Sequence, residues 1–281
     1  MEIALNGATT MNADLETDIR AASEAGFPWL EVWASKLRVF LESRGAGDLN
    51  ELFAAHDIRP YSINSIERIT FRDFNKHRLL LAECEDLCRV AEEIGCPYVV
   101  VVPSPLPMGV SRTDVIEESS RVLGELAGIA ARRGVGLAFE FLGQPDCSVP
   151  TLALADEIVG KVGQPNVGLV IDSFHFYAGG SAMESIDALD PARLFIFHIN
   201  DAEDRPREQL EDRHRLMPGL GVLPLKEILA ALRRIGYDRV ASVEIFRPEY
   251  WERDPFELAR EARTAVECAH NAKAEAQRGL Y

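Results

Sequence analysis

A chain of 281 residues, 47% hydrophobic and 27% charged, has the composition of a globular protein able to bury a large core rather than of a disordered one. Its formal charge of -15 argues against a partner recognised through a phosphate backbone, which needs a basic footprint to displace counterions, so no nucleic acid is expected. No basic and then apolar leader opens the chain, and no stretch approaches the roughly eighteen apolar residues of a membrane span, which predicts a cytoplasmic protein with no membrane partner.

In chain order, short apolar and β-branched runs alternate with longer amphipathic stretches. Strands are expected at residues 2–6 (EIALN), 29–33 (WLEVW), 60–64 (PYSIN), 98–102 (YVVVV), 136–141 (GLAFEF), 167–172 (VGLVID), 194–199 (LFIFHI) and 240–246 (VASVEIF). Near-continuous apolar runs are the mark of parallel strands covered on both faces. Helices are expected at 14–26, 49–57, 77–95, 113–134, 151–163, 182–190, 224–236 and 255–277. Gly26, Gly95, Gly134 and Gly236 punctuate the ends of four of them, and Pro224 and Pro255 stand in first-turn positions where a missing N–H costs little. Eight βα units with no linker, and no GxGxxG after the first strand, favour a single (β/α)8 TIM barrel domain over residues 1–281 rather than an open doubly wound sheet.

In such barrels the chemistry sits at the C-terminal ends of the strands. There the sequence places Glu140, Asp172, His198 and Glu244, each an ionisable group inside an apolar run. An unpaired charge in that setting costs several kcal/mol. Any one of the four could be a private salt bridge; four at one level on successive strands are better explained by a divalent cation, which removes their mutual repulsion. The oxygen and nitrogen donor set suits Mn²⁺, Zn²⁺, Co²⁺ or Mg²⁺ and leaves the metal's identity open. His175, expected in a tight loop after Asp172, falls near the same point. The cysteines Cys84, Cys88, Cys96, Cys147 and Cys268 form no CxxC, so neither a disulfide framework nor a zinc knuckle is indicated. Cys147 stands out only for following the fifth strand.

The runs FEFLGQPDC, NVGLVIDSFHF, FIFHINDAED, PGLG and SVEIFRPEYW resemble the sugar isomerase and epimerase barrels of the xylose-isomerase-like superfamily. Within it the likeness is to the inosose isomerases of bacterial inositol catabolism, and it runs from LNGATT, through NSIERITFRD and VVVVP, to the RPEYW after the last strand. The resemblance implies the same four metal ligands, an acid/base pair at Glu140 and Glu244, a substrate-contacting His175 and a substrate-oxygen ligand at Arg215. It implies a small-molecule substrate, a keto-inositol or ketose, isomerised through a metal-bound enediolate. Gly7 in place of Glu, Met217 in place of an aromatic residue and Leu220 in place of a polar one depart from the pattern, and all three are expected to border the substrate pocket.

Trp33 at the end of the second strand is a candidate apolar wall for the substrate, or core packing. Asn6 and Asn64 are candidate hydrogen-bonders in the pocket, or partners of loop backbone. A ketose 3-epimerase, a lyase such as a 3-dehydroshikimate dehydratase, an abasic-site nuclease and a non-catalytic sugar-binding barrel are the competing readings. The nuclease lacks its additional His ligands here, since strands three and four end in Asn64 and in Val102-Pro103.

Overall fold

A computed structural model describes residues 1–271 of the chain. Eight parallel strands, β1 (Glu2–Asn6), β2 (Trp29–Trp33), β3 (Arg59–Ile66), β4 (Tyr98–Val101), β5 (Gly136–Glu140), β6 (Val167–Asp172), β7 (Leu194–Ile199) and β8 (Val240–Val243), close on one another in sequential order, with β1 paired to both β2 and β8. All eight fall on the expected runs. The eighth ends at Val243, which leaves Glu244 and Phe246 just beyond the strand, where the chain turns over the barrel mouth.

The helices between the strands are α1 (Leu15–Ala25), α2 (Ala34–Leu41), α3 (Ala46–Ala55), α4 (Phe74–Glu93), α5 (Arg112–Ala131), α6 (Leu152–Val162), α7 (Ser173–Ala178), α8 (Glu184–Asp187), α9 (Leu225–Arg234), α10 (Pro248–Trp251) and α11 (Pro255–Asn271). Asp14, Asp73, Ser111 and Thr151 cap α1, α4, α5 and α6, each side chain accepting from a first-turn backbone N–H. The four expected punctuating glycines all have positive φ, between 67 and 83°, a conformation that costs glycine nothing. The part of the last expected helix beyond Asn271, and with it most of the C-terminal run HNAKAEAQRGLY, lies outside the described residues.

Three features differ from expectation. Helix α2 begins directly after Trp33, with no loop to announce it, and the segment after Asp172 is not a tight loop but the short helix α7. Asp172 is its N-cap, accepting from His175 N at 2.8 Å. A ribbon unseen in the sequence, Asp201–Ala202 paired antiparallel with Arg215–Leu216, folds the long β7–α9 connection back so that Arg215 enters the barrel.

The barrel interior is divided into two levels. At the N-terminal ends of the strands Trp29, Tyr61, Tyr98 and Phe195 pack ring against ring at 5.4, 5.5 and 4.7 Å, and with Ala4, Ala138, Val170 and Val240 they plug the floor. Polar residues occupy the C-terminal level above that plug. Outside the barrel the strands' other faces meet the apolar stripes of the helices in one continuous core.

Candidate metal centre and active site

Glu140, Asp172, His198 and Glu244 converge as expected. Each offers a donor atom, these atoms all lie within 4.8 Å of one another, and all four residues are buried. The strands explain the convergence: Asp172 and His198 are register partners on β6 and β7, while Glu140 closes β5 and Glu244 follows β8. His198 Nδ1 is 3.1 Å from Glu140 Oε1 and 3.3 Å from Glu244 Oε2.

The electrostatic balance is negative. Four buried carboxylates, those of Glu31, Glu140, Asp172 and Glu244, face one guanidinium and one imidazole. Burial pushes the Glu140 carboxyl up to about 8, with the Glu244 charge adding to the effect against His198. Burial pushes Glu244 upward too, yet His198 and Arg215 outweigh it and hold the group below the usual carboxylate range. Burial opposes the charged form of His198 as well, but Glu244, Glu31 and Glu140 drive it well above the ordinary imidazole value. Three carboxylates and an imidazole, with more negative than positive charge out of water, fit one divalent ion of the oxygen- and nitrogen-preferring kind.

Arg215 is 1% exposed. Its Nη1 donates to Asp172 Oδ2 at 2.8 Å and Glu244 Oε2 at 3.0 Å, and its Nη2 donates to Asp212 Oδ1 at 2.9 Å. The same Nη2 lies 2.9 Å from His175 Nε2. A guanidinium only donates, so His175 Nε2 is the acceptor and the imidazole hydrogen sits on Nδ1. Burial first, and the Arg215 charge second, hold His175 below its ordinary value and hence neutral. Its Nδ1 is buried without a partner among the described residues, a donor held ready for an oxygen not supplied by these side chains.

A cavity of about 320 Å³ opens above the cluster, lined by Glu140, His175, Arg215, Glu244, Asn64 and Trp33 among others, within the size range of small-ligand sites. Trp33 meets Phe246 edge to face at 5.5 Å to form one wall. Asn64 lines the cavity and donates to Glu244 Oε1 at 2.8 Å. Asn6 lies beneath it instead: its Nδ2 reaches Glu244 Oε1 at 3.0 Å and Glu31 Oε2 at 3.1 Å, and its Oδ1 accepts from Ala8 N. Cys147 is at the cavity edge, its thiol directed at Val149 O and pushed by burial up to about 11, so it is inert as a nucleophile.

The three departures from the family pattern separate here. A Cβ on Gly7 would lie 3.0 Å from Asp18 Oδ2 and 3.1 Å from Trp33 Cβ, so the missing side chain is what gives Trp33 its place. Met217 and Leu220 do not border this cavity. They line a separate cleft between the 217–223 loop, α9 and α11, because that loop turns outward once it has delivered Arg215.

Sequence reasoning also missed Glu31, Asn200 and Asp212. Asn200 Nδ2 donates to Asp172 Oδ2 at 2.7 Å and to the Glu244 carbonyl at 3.1 Å, holding one ligand side chain and the backbone of another. Glu31 carried the same signal as the four, an acid in an apolar strand, but in mid-strand rather than at its end.

Closed barrel and site together define a (β/α)8 protein with a carboxylate and histidine centre for one divalent ion at its C-terminal mouth. The chain belongs to the xylose isomerase-like TIM barrel family, whose model matches residues 19–269. An inosose isomerase of Bacillus velezensis is 38% identical over 269 residues, 95% of this chain and 96% of the relative. A crystal structure of the IolI protein with a bound zinc atom is 36% identical, covers 97% of this chain and 99% of its own, and superposes with a TM-score of 0.94. A 3-dehydroshikimate dehydratase of Pseudomonas aeruginosa is 26% identical over 84% of this chain and 37% of the relative.

Proposed function

We propose that the protein is a divalent-metal-dependent isomerase of a small polyhydroxy ketone, interconverting 2-keto-myo-inositol and 1-keto-D-chiro-inositol. The observation that carries the substrate is the 38% identity to an inosose isomerase across 95% of the chain. Glu140, Asp172, His198 and Glu244 would hold the ion, which supplies a Lewis acid to polarise the substrate carbonyl.

The protein's own groups then move the proton. Glu244, with Oε1 held by Asn6 and Asn64 and Oε2 by Arg215, is kept ionised and oriented, as a base must be. Glu140, on the other side of His198 Nδ1 at 3.1 Å, is its acid/base partner. Glu244 takes the C–H proton beside the carbonyl, Glu140 passes one on from solvent to the former carbonyl carbon, and Glu244 gives its proton back to solvent before the next turnover. The hydroxyl proton passes to the former carbonyl oxygen, so the carbonyl migrates with no atom gained or lost. His175 donates from Nδ1 to a substrate oxygen as negative charge develops on it. Arg215 fixes that tautomer of His175 and braces both Asp172 and Glu244. Trp33 and Phe246 give the ring's C–H face an apolar wall.

The setting is proposed to be the cytoplasm. No helix among the described residues is long and apolar enough to cross a membrane, and all five cysteines are free thiols, which suits a reducing compartment.

The reaction is tested by incubating the metal-loaded enzyme with 2-keto-myo-inositol in D₂O and following proton NMR. Carbonyl migration with deuterium entering at carbon and no loss of water is expected. Expulsion of water from the substrate would replace this reading with the lyase reading, and inversion at one carbon without carbonyl migration would make the protein an epimerase.

A further inference from the structure

Below the four converging groups lies another buried acid that the reaction scheme leaves unused. Glu31 stands in mid-β2, wholly buried, and its register neighbours are Asn6 on β1 and Ser62 on β3. Both aim donors at it: Ser62 Oγ donates to Oε1, and Asn6 Nδ2 donates to Oε2 at 3.1 Å. The same Oε2 lies 2.9 Å from His198 Nε2, in a bent contact. Glu31 does not line the cavity above, so it touches no substrate. An acid buried in a barrel core costs several kcal/mol that an apolar residue would not.

His198 therefore has two unlike ends. Nδ1 points into the ligand cluster, 3.1 Å from Glu140 Oε1 and 3.3 Å from Glu244 Oε2, while Nε2 faces Glu31. A neutral imidazole carries one N–H and one lone pair. With Ser62 and Asn6 both donating to it, Glu31 has only acceptor capacity to offer, so the N–H belongs at Nε2. The lone pair is then left at Nδ1, where a metal ion would need it. Without an ion both ring nitrogens face carboxylates, Nδ1 at 3.1 Å from Glu140 and Nε2 at 2.9 Å from Glu31; with an ion held at the cluster, the opposite tautomer would set an N–H against the ion and a lone pair against Glu31.

We infer that Glu31, held by Ser62 and Asn6, is the positioning residue that fixes His198 as an Nδ1 ligand. Asn6 ties the same platform to Glu244 through its second contact at 3.0 Å. The inference rests on the metal-centred reading of the site, but it requires neither turnover nor any particular substrate.

The test uses the full-length protein, stripped and then loaded with Zn²⁺ or Co²⁺. Affinity is read by chelator competition and the His198 tautomer by long-range ¹H–¹⁵N NMR. Glu31→Ala is expected to weaken metal binding roughly 10- to 100-fold, the usual size of such outer-shell effects. Glu31→Gln, which keeps an acceptor oxygen, should lose less, and Ser62→Ala least. Zinc-loaded wild type should show the proton on Nε2. Unchanged affinity in a folded Glu31→Ala variant would overturn the inference, as would a wild-type proton on Nδ1; the second measurement stands even if Glu31→Ala fails to fold. If the ion binds as described but keto-inositol is not isomerised, the proposed function falls and this inference remains.

Discussion

Two sets of charges are buried near the mouth of this barrel, and they are built on opposite principles. Beside α1 and α2, Lys36 Nζ donates to Gly7 O, Thr10 O and Asp18 Oδ2 at 2.9, 2.8 and 2.7 Å, and Thr10 Oγ1 donates to the other Asp18 oxygen at 2.7 Å. One cation meets one anion and every ammonium proton has an acceptor. Burial still pushes Asp18 up to about 7 and draws Lys36 down, so the pair is costly to keep, but nothing in it is open to a ligand. Inside the barrel four carboxylates meet one guanidinium and one imidazole, and His175 keeps an unpartnered donor. Complete pairing marks a structural clamp on the loop beside Trp33. Incomplete pairing marks a place where something else binds.

Breaking each set should therefore have different consequences. In the central cluster, Glu244→Gln should lower turnover of keto-inositol by on the order of 10³-fold or more, as expected for loss of a general base that is also a ligand. Its thermal midpoint should fall only modestly, as Arg215 and His198 lose one of the several carboxylates that pair with them; calorimetry beside the kinetic assay checks both. In the clamp, Lys36→Met should leave the chemistry in place but cost about 3–5 kcal/mol of stability by stranding Asp18, measured by denaturant unfolding. Adding Asp18→Leu to it should recover much of that loss. Gly7→Ala should cost about 1–3 kcal/mol through overpacking against Trp33 and Asp18 and should raise KM more than it lowers kcat. As a surface control, Arg234→Ala, which breaks a largely exposed pair with Asp187 at 2.7 Å, should change stability by only about 0.5 kcal/mol.

The parts of this structure visible in the sequence were those set by burial pattern. Strands covered on both faces read as apolar runs, so all eight appeared at their places. Glu140, Asp172, His198 and Glu244 stood out because ionisable groups do not belong in such runs. Helices α2 and α7 and the 201–202/215–216 ribbon are too short to hold themselves together and form only in tertiary context, so nothing local foretold them. Arg215 was reachable only through resemblance, since a loop arginine carries no mark of the ribbon that buries it. Met217 and Leu220 were misplaced for the matching reason: being next to Arg215 in sequence says nothing about which way the following turn faces. Glu31 was overlooked because inspection of strand ends passes over a residue one level down, where the supports of a site lie.

The central claim is that the excess negative charge in the barrel is there for one divalent ion and that the reaction depends on it. The direct measurement is isomerisation of 2-keto-myo-inositol by exhaustively chelated enzyme, repeated as Mn²⁺, Co²⁺, Zn²⁺ or Mg²⁺ is returned in fractions of an equivalent. The account predicts no activity without metal and recovery that reaches its plateau at one ion per chain. Full activity of the stripped protein would contradict it.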